Sequence, residues 1–353
     1  MLKFINSMKF NYSKICSDLI SDLPQRGKEV VLRRFALSTE APGEGGVKRE
    51  TLEAIGRDHN VTRERVRQIQ EDAILKIKPK IEKYQPIFNY FINHLNSCGN
   101  IKREDVLLDI LGGENFQNQV FFLLTLGEPF FKFSETDEHH SFWTTEPKFL
   151  NFPQKTINSF YKFLLKKKEP VILKDVSVHQ ILGKEIERER INRLSLEAFQ
   201  SFLEISKKIQ QNKEGFFGLK DWPEINPRGI KDKAYLVFRR EQKPLHFNEV
   251  AKLIGDNSNP QSVHNELIRD SRFVLVGRGL YALKEWGYKP GVVKDIIVEI
   301  LKETKKPLRK KEIIEKVLKQ RLVKENTILL NLNNKKYFSK TSIGKYALAD
   351  KRA

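Results

Sequence analysis

The chain has 353 residues, 64 Lys and Arg against 45 Asp and Glu, and a formal charge of +19. That length holds two or more domains, and 39% hydrophobic residues with 24 Phe exclude a disordered chain. Two cysteines, Cys16 and Cys98, with no CxxC spacing exclude a disulfide framework or a cysteine zinc site, and no apolar run is long enough to span a bilayer. Lys, Asn and Ser interrupt residues 1–19, so no secretory signal is expected there. The positive charge points to a polyanionic partner. It is polarised: net +5 in 1–84, −1 in 85–226, +4 in 227–288 and +11 in 289–353.

In chain order, the first strong pattern spans Thr51 to Ile77. Thr51 is predicted to cap a helix whose Leu52 and Ile55 share a face. Asn60 suits a turn position of positive φ, and Val61 plugs the angle between two helices. Thr62 then caps a second helix with Glu64 in its first turn, and Val66, Ile69, Ala73 and Ile77 form the buried stripe. The opposite face carries Arg63, Glu64, Arg67 and Gln68. In a helix-turn-helix these positions enter the major groove, where Arg suits guanine, Gln adenine and Glu the cytosine amino group. Phosphates repel a carboxylate, so Glu64 fits base readout better than a purely electrostatic grip. The plain alternative is a solvated face with contacts such as Glu64 to Gln68.

The stretch TLEAIGRDHNVTRERVRQIQEDAILKI resembles the −35-reading helix-turn-helix of sigma-70 factors, region 4, and Leu23–Phe35 resembles the first half of that region. The resemblance covers about residues 18–80. It implies that Arg63, Glu64 and Gln68 read bases, while Arg57, Thr62, Arg65 and Arg67 contact the DNA backbone. It also implies docking on the β flap of the RNA polymerase core through apolar and basic positions in 23–35. The link Ala36–Glu50, with its PGEGG run, is longer than usual for the family. A complete sigma factor carries its −10 melting domain before region 4, and only about 20 residues precede it here, so the chain alone is expected not to open promoters.

Internal repeats organise the rest. GFFGLKDWP at 215–223 recurs as GLYALKEWG at 279–287, and KPLHFNEVAKLI at 243–254 recurs as KPLRKKEIIEKVL at 306–318. Tyr281-Ala282-Leu283 recurs as Tyr346-Ala347-Leu348. The first copy predicts helices over 230–240, 247–253 and 257–268, a short extended piece near 243–246, and a hairpin of 273–276 and 280–283 around Gly277-Arg278-Gly279. That is the order of a winged helix. The same plan is expected in 85–147, with a hairpin of 130–133 and 141–144, and in 153–223. The expected fold class is mainly α with small β-hairpin wings. A helix-turn-helix domain at 1–84 would precede tandem winged-helix units at 85–150, 151–226, 227–288 and 289–353.

Residues 227–286 resemble the HARE-HTH winged helix, and the likeness extends to about 350. That family includes the N-terminal domain of the RNA polymerase delta subunit and modules of chromatin and restriction proteins. The resemblance makes Phe273, Leu280, Leu283 and Trp286 structural. In the strongly basic last copy, Arg309, Lys310, Lys311, Lys335 and Lys336 are expected on the DNA backbone.

No P-loop, GxSxG, HExxH or nuclease signature is present, so no enzyme activity and no cofactor is expected. His139-His140 beside Asp137 and Glu138 reads as a polar wing tip rather than a metal site. Trp222 and Trp286 read as core rather than base-stacking residues. Two functions remain: a DNA-binding transcription regulator that reads a −35-like element, and an RNA polymerase-associated adaptor. The partners implied are double-stranded DNA and core RNA polymerase, without membrane or small-molecule substrate, in a cytoplasmic, nucleoid-associated setting.

Overall fold

The computed structural model describes residues 10–37, 48–183, 194–255 and 258–349. They form a mainly helical chain with small antiparallel sheets, divided into two units, Met1–Asp221 and Trp222–Ala353. The PGEGG run of the link and Asp256-Asn257 lie outside the described residues.

The first unit opens with α1 (Tyr12–Ile20), α2 (Gln25–Phe35), α3 (Leu52–Asp58) and α4 (Arg63–Ile77). There follow α5 (Gln85–Ser97), β1 (Ile101–Arg103), α6 (Glu104–Gly112), α7 (Gln117–Leu126), β2 (Phe131–Phe133) and β3 (Phe142–Thr144). The three strands pair antiparallel in the order β1-β3-β2, with Thr144 opposite both Ile101 and Phe131. One apolar cluster joins Leu19, Val31, Phe35 and Ile77 to Phe88, Phe91, Leu107, Phe122 and Trp143. Burying each such side chain is worth about 1.5–3 kcal/mol. The expected boundary after residue 84 therefore falls inside a continuous core. Its sharpest tie is the buried Tyr12 hydroxyl, which donates to the Leu111 carbonyl at 2.7 Å.

The remainder of this unit holds α8 (Asn151–Lys167), α9 (Val178–Leu182), α10 (Leu196–Glu204), β4 (Ile209–Gln211) and β5 (Phe217–Leu219), with Val171 bridged to Phe217. Lys102 of β1 is buried against α10, where its ammonium meets Glu204 at 2.6 Å and Ser201 Oγ at 3.2 Å. The turn at 134–141 is polar, as expected of a wing tip, but it is not a free tip. The His140 amide donates to Ile205 O at 2.8 Å, and the Lys207 amide donates to Glu138 O at 3.0 Å.

The second unit runs α11 (Gly229–Glu241), β6 (Leu245–His246), α12 (Phe247–Ile254), α13 (Pro260–Arg269), β7 (Phe273–Gly277) and β8 (Leu280–Leu283). It continues as α14 (Val293–Thr304), α15 (Lys310–Leu318), α16 (Glu325–Leu332), β9 (Phe338–Lys340) and β10 (Tyr346–Leu348). The helix expected from residue 257 begins at Pro260, because Asn259 caps it by accepting from the Gln261 amide at 2.8 Å. The repeated sequences occupy equivalent places. Leu245 pairs with Tyr281 in the sheet β6-β8-β7, and Leu308 pairs with Tyr346. Helix, extended residue, two helices and a hairpin thus recur in both copies. The same order of described elements runs through 85–144 and 151–219.

Candidate nucleic-acid interface

Local chemistry builds the α3–α4 corner. Thr51 accepts from the Ala54 amide at 3.1 Å, and Thr62 accepts from the Arg65 amide at 3.2 Å, so each helix has its N-cap. Asn60 holds the turn at φ +52°, and the Val61 amide returns to Gly56 O at 2.9 Å. Val66 is buried against Ile55 and Val30, with Val61 and Ile69 at the margin, while Ala73 and Ile77 enter the large core. One face of α4 is thereby fixed and the other left to solvent.

Residues of α2 brace this corner. Arg33 donates from Nε and Nη2 to Glu50 at 2.9 and 2.6 Å and also pairs with Asp58, at the end of α3. Arg34 donates to Glu50 O at 2.7 Å, and His59 Nε2 lies 3.2 Å from Glu29. Hydrogen bonds from Arg33 hold the Glu50 carboxyl below its usual range. None of these bracing residues was singled out by sequence, since their partners lie far along the chain. The apolar positions Leu23, Val30, Val31 and Phe35 are all buried. Within 23–35, a docking surface of the expected apolar and basic kind is therefore reduced to partly exposed Leu32 and basic side chains such as Arg26.

Arg63, Glu64, Arg65, Arg67 and Gln68 are all exposed on α4, as are Arg57 on α3 and the cap Thr62. They are grouped as expected, yet most are already paired. Arg67 donates to Glu64 at 2.9 and 2.6 Å and also meets Glu71. The same Arg67 hydrogen bonds depress the Glu64 pKa, so Glu64 is a carboxylate at neutral pH. Arg65 donates to Gln68 Oε1 at 3.1 Å, and Arg57 sits 3.7 Å from Glu53. Arg63 forms no hydrogen bond or ion pair among the described residues, which leaves its guanidinium available at the head of the helix. The face can thus present one cation whose guanidinium makes no hydrogen bond, one fixed carboxylate and one amide.

Arg309, Lys310, Lys311, Lys335 and Lys336 are exposed in the second unit, where the first three open α15 and the last two precede β9. Trp286 is partly buried against Phe238, with ring centroids 6.2 Å apart, and Trp222 is likewise partly buried. No grouping of three His, Cys, Asp or Glu suited to a metal ion occurs among the described residues, and none of their helices is long and apolar enough to cross a membrane.

Comparison with known proteins agrees with this corner. Residues 19–78 match the family described as Sigma-70, region 4. A 63-residue stretch is 41% identical to RNA polymerase sigma factor RpoS of Coxiella burnetii (strain RSA 493 / Nine Mile phase I). That stretch is 18% of this chain and 16% of the relative, so the likeness concerns one domain of each. Residues 19–78 are a sigma-70 region 4 helix-turn-helix domain.

Proposed function

We propose that the chain is a DNA-binding transcription regulator that reads a −35-like promoter element through α4. The observation that carries this reading is the capped, braced α4, which offers Arg63, Glu64 and Gln68 to solvent inside the region 4 domain. Arg63 would pair with guanine, Gln68 with adenine, and Glu64 would accept from cytosine. Arg57, Thr62, Arg65 and Arg67 would lie along the phosphates. Arg67 serves two ends here, because it also orients Glu64. The repeated helix–hairpin units are read as tandem winged helices of HARE-HTH kind at 85–150, 151–226, 227–288 and 289–353, adding DNA or polymerase contacts. The protein would act by binding rather than catalysis, in the cytoplasm and on the nucleoid.

Selection of binding sites from random duplexes tests the reading. The parent chain should return a motif. The double variant Arg63→Ala, Gln68→Ala should lose it, at about 1–3 kcal/mol per base contact, while keeping non-specific affinity. A parent that enriches no motif overturns base readout.

A second reading is an RNA polymerase-associated adaptor that uses the region 4 domain on the β flap. The near-neutral block 85–226 favours it, since a net charge of −1 suits a protein neighbour better than phosphates. Retention of core polymerase by the full chain, weakened by Arg26→Glu with Lys28→Glu on α2, is its expected result.

A further inference from the structure

The last repeat has its charge in an unexpected place. In a winged helix the third helix would be the reader, and here that is α16. Its sequence, Glu325 to Leu332, contains no Lys or Arg, and its Leu330 is 73% exposed. The cations gather instead around the hairpin. Leu308 and Tyr346 exchange hydrogen bonds of 3.0 and 2.8 Å, so Arg309, one residue on, lies across from Lys345. Lys340 stands opposite Tyr346 in the β9–β10 register. Among the described residues, Arg309, Lys310, Lys340 and Lys345 make no ion pair. Arg239 and Arg272 of the previous repeat are paired instead: Arg239 meets Glu285 at 3.3 Å, and Arg272 meets Asp270 and Asp232 at 2.6 and 2.8 Å.

The hairpin tip is preorganised. The Thr341 amide donates to Lys345 O at 2.8 Å, the Lys345 amide to Thr341 Oγ1 at 3.2 Å, and the Gly344 amide to Thr341 O at 2.9 Å. Gly344 takes φ +74°, a value that suits glycine. This turn holds Ile343 outward at 76% exposure, the highest of any large apolar side chain among the described residues. A protein-docking site is built from a cluster of apolar anchors in pockets. A lone aliphatic tip between unpaired cations instead matches a narrow groove rimmed by phosphates.

We propose that the β9–β10 hairpin and the start of α15 grip duplex DNA independently of sequence, with Arg309, Lys340 and Lys345 on phosphates and Ile343 in the minor groove. This rests on the reading of the chain as a DNA-binding protein and not on base readout by α4. The test uses the full chain and a mixed-sequence DNA duplex of about 30 base pairs, titrated with salt by fluorescence anisotropy. The triple variant R309A/K340A/K345A should flatten the slope of log affinity against log salt by about 2–3. I343S should weaken binding about tenfold at unchanged slope, and a minor-groove dye should displace the parent chain. Far-UV circular dichroism matching the parent confirms that the variants fold. A triple variant with the parental slope overturns the proposal. So does one that keeps duplex binding but loses core polymerase, which assigns the surface to an acidic protein. A parent chain that binds no duplex overturns the DNA-binding reading as well, whereas normal parental binding with unaffected variants overturns only the hairpin grip.

Discussion

Gly56 sits where α3 closes on α4, and a Cβ there would lie 2.7 Å from Val61 O. Backbone cannot give way as a flexible side chain can, so Gly56→Ala should destabilise the first unit by about 1–3 kcal/mol. Thr62→Ala removes only one cap and should cost about 1 kcal/mol. Urea unfolding of the two variants beside the parent checks the order, and a Gly56→Ala midpoint at or above that of Thr62→Ala would contradict it. The cap and the turn were legible in sequence because Thr62 and Asn60 act on atoms within three residues of themselves. Gly56 was not, since its need arises only when two helices meet at a particular angle. Arg33 was legible only as a basic residue, because its partners Glu50 and Asp58 arrive from the far end of the link and from another helix.

Elements show the same division between local and long-range causes. The apolar spacing of 87–95 marks a helix there, observed as α5, but not what its His94 would meet. That residue is partly buried, and burial first, then the nearby Lys102 charge, hold its pKa below the ordinary histidine value. His140, in the turn pinned to residues 205–207, is depressed likewise by burial and by Arg103. A histidine depressed in the folded state is protonated more readily in the unfolded chain. Its stabilising contribution is therefore complete above pH 6.5 and falls as pH drops toward the folded value. The urea midpoint of the first unit should decline from about pH 7 to pH 5, and His94→Gln with His140→Gln should flatten that decline. An equal decline in the double variant would assign it to other groups. The hairpins were legible from Gly and alternating apolar residues. What lies on their tips was not, because the 205–208 segment that covers one of them is about 65 residues away in sequence.

At the scale of the whole chain, the repeat of 227–288 in 289–350 was legible because the two copies share residues 63 to 65 positions apart, and equivalent pairs, Leu245 with Tyr281 and Leu308 with Tyr346, result. The way the copies join was hidden. Val274, Val276 and Ala282 are buried on the face of the β7–β8 hairpin opposite the main core of their copy, beneath Leu280, Trp286 and Tyr288. The free edge of β7 is taken by the next copy, whose Leu322 amide donates to Val276 O at 2.7 Å. Arg321 completes the joint. It is almost fully buried, and its guanidinium donates to Gln320 O, Lys289 O and Gly291 O at 2.5, 2.6 and 2.8 Å. The Lys289 and Gly291 carbonyls belong to the segment that connects the copies, so the joint and the linker are one object. Removing residues 289–353 to lower the charge by 11 would also uncover the Val276 edge, and lost affinity would then mix electrostatics with unfolding. Point substitutions on the hairpin avoid this. Arg321→Ala should remove three hydrogen bonds made by a buried guanidinium and open a gap, at a cost of about 2–4 kcal/mol to the second unit. Both copies should lose stability together, because neither keeps its partner across the joint. Hydrogen exchange on the full chain reads this directly: amides of β7 and of α14 should lose protection in parallel. Loss confined to α14 would mean that the two copies open independently.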